Sequence, residues 1–270
     1  MIEYFQFLIW PFLACVVLVG IHVYFGLHVI RRGIIFVDLS LAQVAALGMT
    51  LAFLMGYELE GDISYLFSLG FALVGATIFT LTRTAEGKIP QEAIIGIVYA
   101  VTSAAAVLAV SHSPEGAEHI KYLLVGSILT VTPAMVLKTA AVYAVVGLIH
   151  IVARNRFIPL TFGVAGRPEH VLWWDFLFYA GFAVVVTSSV KICGVLLVFV
   201  FLVVPSVFAA LITDSISRRL IYGWLFGLVG SALGIWASFW LDTPTGATVV
   251  CTFGAMILLF ALVRKLGRSF

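Results

Sequence analysis

Charge is scarce in this chain: Asp, Glu, Lys and Arg make up 10% of its 270 residues, against 63% hydrophobic residues. Mean hydropathy is +1.16. A soluble core of this size cannot hide so much apolar surface, which excludes a soluble enzyme or a nucleic-acid-binding domain. No polar stretch is long enough to fold alone, so one membrane unit over 1–270 is expected. The phosphate-cradling pattern GxxxxGK[ST] is absent, as are HExxH and any nucleophile and base pair at depth, so ATP chemistry and catalysis are not expected of this chain. Cysteine is rare too. Cys15, Cys193 and Cys251 lie far apart in apolar runs, which excludes a disulfide framework or a CxxC metal knuckle and predicts small core residues.

What the chain has in quantity is long apolar runs. Runs of about 20 residues, enough to cross a hydrocarbon layer of about 30 Å as helices, fall near 6–27, 34–56, 64–82, 91–111, 123–152, 172–189, 192–212, 220–241 and 246–263. The fold expected is all-α, a polytopic transmembrane helical bundle of about nine spans, with eight to ten allowed by the pattern. The fifth run is too long for one crossing, and Gly126 and Pro133 divide it into a crossing plus a re-entrant piece. "SVKIC" is the whole turn between the sixth and seventh. Acidic Glu3, where a signal peptide would be basic, predicts that the first run is a retained span.

With the N-terminus outside and the C-terminus in the cytoplasm, the inner loops receive Arg31, Arg32, Arg83, Lys88, Arg154, Arg156, Arg167, Arg218, Arg219, Arg264, Lys265 and Arg268. The outer side keeps Lys121 and Lys191 beside Glu58, Glu60, Asp62, Glu115, Glu118 and Asp242, an acidic mouth that concentrates cations. In "SHSPEGAEHIK" the outer loop places His112, Glu115, Glu118 and His119 close enough to share a transition metal, although they meet no fixed ligand spacing and equally suit a solvated acidic loop. The inner segment 153–176, "ARNRFIPLTFGVAGRPEHVLWWDF", is either a compact docking loop for a cytosolic partner or an ordinary basic loop anchored by Trp173 and Trp174.

Away from the span ends, Asp38, Asp175 and Lys138 are the charged residues that fall within spans, few for a carrier driven by protons. Small residues in "GSALGIWAS" and "FALVGAT" predict close helix packing.

Five stretches in order carry a resemblance: "HVIRRGIIFVDLSLAQVAALG", "IPQEAIIGIVYAVTSAAAVLAVSHSPEGAEHIKYLLVGSILTVT", "FGVAGRPEH", "TSSVKICGVLLVFVFLVVPSVFAALIT" and "LDTPTGATVV". In these the chain resembles the membrane permease subunits of bacterial ABC importers for zinc, manganese and iron. The resemblance implies a bacterial inner or plasma membrane protein, surrounded by lipid and paired with a second permease copy as a homodimer or with a related subunit. It also implies a cytosolic ATP-binding subunit docked on the coupling loop 153–171, with Phe162, Gly163, Gly166 and Arg167, and an extracytoplasmic metal-binding protein. No cofactor would be bound permanently; a divalent metal ion is the substrate, and ATP acts through the partner.

The family's second helix carries an aspartate followed four residues later by a histidine. Here Gln43 takes the histidine position, Leu39 the aspartate position, and Asp38 stands one residue early. Five residues apart, Asp38 and Gln43 are separated by about 140° on a regular helix. Pathway ligation is one role for Asp38. Pairing with Arg32 is another, while Gln43 has a second role in hydrogen bonding to a hydroxyl such as Ser40 of the dimer mate. Losing the histidine leaves oxygen groups, which hold zinc less selectively. Rival functions are an importer of a metal chelate or small organic cofactor, and a carrier working without an ATPase.

Overall fold

The structure is a computed structural model that describes residues 2–59, 61–83, 89–111, 118, 123–126, 128–163 and 169–266. Nine α-helices and one short 3₁₀ turn, Ile128–Thr130, account for nearly all described residues. We label the helices α1 (Ile2–Arg32), α2 (Val37–Leu54), α3 (Asp62–Thr82), α4 (Gln91–Val110), α5 (Pro133–Val152), α6 (Arg154–Phe162), α7 (Val171–Ile212), α8 (Ile216–Leu241) and α9 (Thr245–Leu266). Eight are long and apolar enough to cross a membrane; α6, with nine residues, is not. Helices suit this composition because they satisfy every backbone group internally, leaving apolar side chains free to face lipid or one another.

At 42 residues α7 would be about 63 Å long, roughly twice the hydrocarbon thickness. Gly194 resolves this. Its φ of 73° and ψ of 166° break the helix into two limbs of about one crossing each. The first limb runs along α1, pairing Asp175 with Arg32 and Ser189 with His22. The second folds back, bringing Leu202 and Ser206 against Gly26. Nine membrane-length limbs result among the described residues, the number read from hydropathy, although the break lies at Gly194, one residue past the expected turn "SVKIC". The apolar run masks it: helical geometry continues through Lys191 to Cys193, and the conformation that breaks it is one glycine adopts without steric cost. A side chain on Gly194 would also collide with the backbone of Val125 and Gly126, packed directly on the bend.

α1 and α7 form the centre of the bundle, with α2, α3 and α4 on one flank and α8 and α9 on the other. The small residues do as expected. Gly48 lies on Phe67, Gly227 on Val19, Gly230 on Phe253 and Gly234 on Val249, each close enough that a Cβ would collide. Of the three cysteines, Cys15 and Cys193 are core residues, but Cys251 is exposed on α9, whose outer face carries Leu258, Leu259 and Leu262. The long run 123–152 divides at its proline: α5 begins with Pro133 at its first turn, capped by Thr132 Oγ1, which accepts from Met135 N.

Candidate functional site

α2 begins after a break. Gly33, at φ 68°, ends the path of α1, and Phe36 forms the N-cap of the next helix. Asp38 therefore does not continue the helical line from Arg32, and the expected ion pair between them is not made. Asp38 is 1% exposed, and neither carboxylate oxygen has a hydrogen-bond partner. Its one local compensation is position, because the first turn of a helix presents unpaired N–H groups and favours negative charge. Ser40, fully buried, has an unpartnered Oγ as well. This burial closes Ser40 to a second copy, so the expected contact from a mate's Gln43 does not fit this conformation. Gln43 is 9% exposed. Ser40 and Gln43 share a face by their three-residue spacing, and Asp38 lies on another.

Close to Asp38, Glu92 at the start of α4 reaches across. Its Oε1 accepts from Phe36 N at 3.0 Å, while Oε2 has no partner. α2 thus opens on two carboxylates with three unpaired buried oxygens among them. Buried carboxyl groups of this kind are paired, bound to a cation or neutralised by a proton. Among the described residues, no group of three or more His, Cys, Asp and Glu is arranged to hold a metal, so this is an oxygen-rich locus and not a preformed multidentate cage.

A second polar locus lies at the basic end of the bundle, where sequence reading placed Arg32 and Arg83 in inner loops and Asp175 within a span. Asp175 of α7, 1% exposed, accepts from Arg32 Nη1 at 3.0 Å and from Arg83 Nη1 through the same Oδ1. Arg32 also donates from Nε to Thr161 Oγ1 at 3.0 Å and stacks over Phe178 at 3.9 Å. His28 Nδ1 lies 2.7 Å from the same hydroxyl. One carboxylate therefore ties α1, α3 and α7 together, and Thr161 adds α6. The other buried histidines have partners: Leu18 O accepts from His22 Nδ1, and His150 Nδ1 lies 3.0 Å from Tyr24 Oη with its ring stacked on Phe157. Sequence reading singled out Asp175 as charge within a span but not the partners that hold it. The signal was an aspartate inside an apolar run, together with two arginines in sequence at the end of another.

Within the expected coupling loop, Arg154–Phe162 is helical and Gly163 ends it in the left-handed region, at φ 69°, donating to Pro159 O. Phe162 is half-buried against His28, their ring centroids 5.4 Å apart. Gly166 and Arg167 lie outside the described residues, as do His112, Glu115 and His119; Glu118 is exposed. Lys138, expected within a span, stands in the first turns of α5 with its side chain 74% exposed, 3.4 Å from Asp62.

The ABC 3 transport family profile matches residues 4–265. The chain is 25% identical over 236 residues to the "Chelated iron transport system membrane protein YfeC" of Yersinia pestis, covering 80% of each. It is 22% identical over 251 residues to the "Manganese transport system membrane protein MntC" of Listeria monocytogenes, covering 91% of this chain and 86% of that one. Its fold is similar to a chain of PsaBC from Streptococcus pneumoniae in complex with Fab, at a TM-score of 0.76 and 20% identity over 96% and 95% of the two chains. The chain belongs to the ABC 3 transport family and is a multi-pass membrane permease.

Proposed function

We propose that this member of the ABC 3 transport family is the permease half of an ATP-driven importer for a divalent transition-metal ion, zinc, manganese or iron. The carrying observation is the buried carboxylate of Asp38, without a partner in a family whose relatives are named for iron and manganese transport. An ionisable group buried in a span without a partner is a functional feature by default in a membrane protein. With Glu92 it supplies carboxylate oxygens and no imidazole, donors that suit manganese and ferrous iron better than zinc.

In this reading the N-terminus lies outside, the basic end faces the cytoplasm, and two permease copies, identical or related, rock against each other. A cytosolic ATPase engages α6 and the segment after Gly163. ATP binding to that partner biases the outward or inward state only as far as it binds the two states differently. Thr161 and Arg32 link α6 to α1 and α7, so movement of α6 reaches the core through hydrogen bonds that already exist. An extracytoplasmic binding protein delivers metal to the acidic end, where Glu118 belongs to the mouth.

The test is metal-resolved uptake in vesicles holding the chain with its ATPase and binding protein, with and without ATP, for wild type and Asp38→Ala. ATP-dependent accumulation of one divalent metal, lost in an assembled and ATP-hydrolysing mutant, is the expected result. Uptake of free metal at the wild-type rate by that mutant would remove Asp38 from the pathway. A second reading, a chelated metal as cargo, is favoured by the name of the Yersinia pestis relative. Uptake of a chelate with no response to free metal would establish it.

A further inference from the structure

A cavity of about 720 Å³ opens among the basic ends of α1, α3, α4, α6 and α7. Among the described residues, Arg31, Arg32 and Arg83 line it with one carboxylate, Asp175. That carboxylate already serves both Arg32 and Arg83 through one oxygen. Arg32 has a side chain 4% exposed, and its Nη2 has no partner. A guanidinium cannot lose its proton, so the buried Nη2 of Arg32 stays a charged donor in need of an acceptor.

Two helices begin at the same place. Gln91, first residue of α4, and Val171, first residue of α7, both line the cavity, and neither helix has a side-chain cap. Their first-turn N–H groups lack helical acceptors and carry the positive end of the helix dipole. Glu92, in the first turn of α4, is turned instead to Phe36 N and does not line the cavity. Three guanidinium groups and two uncapped helix starts thus converge on one space, the combination that holds anions elsewhere in proteins.

We propose that this cavity binds a phosphoryl group. The unpartnered Nη2 of Arg32 and the guanidinium of Arg31 line it, and its donors come from walls of different helices. A group with several oxygens spread around one phosphorus can be reached from those walls together, whereas a carboxylate offers two oxygens in one direction. Pro159, Leu160 and Leu172 add apolar lining for carbon attached to the phosphoryl group. The chemistry has two sources, the headgroup of an anionic phospholipid and free phosphate. Either would brace α6 against α1, α3 and α7. The proposal does not depend on the cargo.

The experiment uses the purified transporter with its ATPase. In detergent stripped of phospholipid, inorganic phosphate is titrated by calorimetry; in nanodiscs of phosphatidylcholine with and without phosphatidylglycerol, retained lipid is measured by native mass spectrometry. Saturable phosphate binding identifies free phosphate as the source, and selective retention of phosphatidylglycerol without phosphate binding identifies the headgroup. Arg31→Gln removes a charge-assisted contact at the exposed rim and weakens whichever binding is seen by about tenfold. Leu172→Trp, which fills the cavity from an exposed position, blocks the same binding and serves where Arg31→Gln does not assemble. Wild-type protein that shows neither kind of binding, or binding unmoved by both substitutions, overturns the proposal. So does cross-linking of an acidic segment of the ATPase to a cysteine at position 31, which would put a protein carboxylate in the site.

Discussion

Asp38 and Asp175 are buried to the same degree, 1% exposed each, and differ in everything else. Asp175 accepts from two arginines on two other helices; Asp38 accepts from none. A carboxylate bound in this way is committed, because moving it breaks contacts among three helices at once. A carboxylate left alone is available, and what it awaits is positive. The contrast divides the buried charge of this chain into a part that holds the bundle together and a part that can meet a passing ion.

The largest effect is expected at the committed end. Asp175→Ala removes the carboxylate that Arg32 and Arg83 share, and removing one partner of a buried pair costs about 3–5 kcal/mol. Such a loss is a large fraction of the stability of most proteins. The expected outcome is a marked drop in folded chain recovered from membranes, read by the melting temperature and monodispersity of the purified protein. A variant of full stability and full uptake would break the contrast, since Asp175 would then be as dispensable to the fold as Asp38.

At the available end the order reverses. Asp38→Asn removes a charge that no donor satisfies, so thermal stability should hold or rise. Metal uptake should fall by about 10–100-fold, the equivalent of losing a charge-assisted contact of about 1.5–3 kcal/mol. Glu92→Gln sharpens the comparison. If its free oxygen shares the cation with Asp38, uptake falls in the same sense while the bond from Phe36 N survives through the amide oxygen. Uptake by Asp38→Asn at the wild-type rate with lowered stability would make Asp38 a structural residue.

An intermediate effect is expected where α6 ends. Gly163 has a positive φ and open space around it, so the obstacle to a side chain there is backbone conformation and not crowding. Gly163→Val places a β-branched residue in the left-handed region at a cost of about 1–2 kcal/mol. That is too little to unfold the bundle and enough to rebuild the local turn. ATP hydrolysis and metal uptake, measured in the same vesicles, should become uncoupled, or the ATPase should fail to co-purify. Full coupled uptake would count strongly against a docking role for this segment.

These loci were unequally legible in the sequence. Hydropathy locates the spans because burial in lipid demands long apolar runs, and Asp38, a carboxylate inside such a run, is conspicuous. The pairing of Arg32 and Arg83 with Asp175 was not legible, because it joins residues far apart in sequence that meet only where the first limb of α7 packs against α1 and α3. Read locally, both arginines obey the positive-inside pattern and need no further explanation. Gly194 was hidden for the opposite reason. It is one glycine among Val, Leu and Phe, with no proline or polar cluster to mark the turn, and what requires glycine is a positive φ and the backbone of Gly126 beside it.

Lys138 supplies the smallest effect and the control for the whole comparison. Like Asp175 it was read as charge within a span, and like Asp175 it has a partner, Asp62 at 3.4 Å. The two side chains are 74% and 89% exposed, however, so water satisfies each of them whether or not they meet. An exposed pair of this kind is worth less than about 1 kcal/mol and weakens with salt. Lys138→Ala should leave the melting temperature within about 2 °C and change uptake little at physiological ionic strength. A loss comparable with that of Asp175→Ala would mean that Lys138 is enclosed in the assembled transporter, by a second copy or a delivery protein at the acidic end, and that its exposure in the single chain conceals an interface.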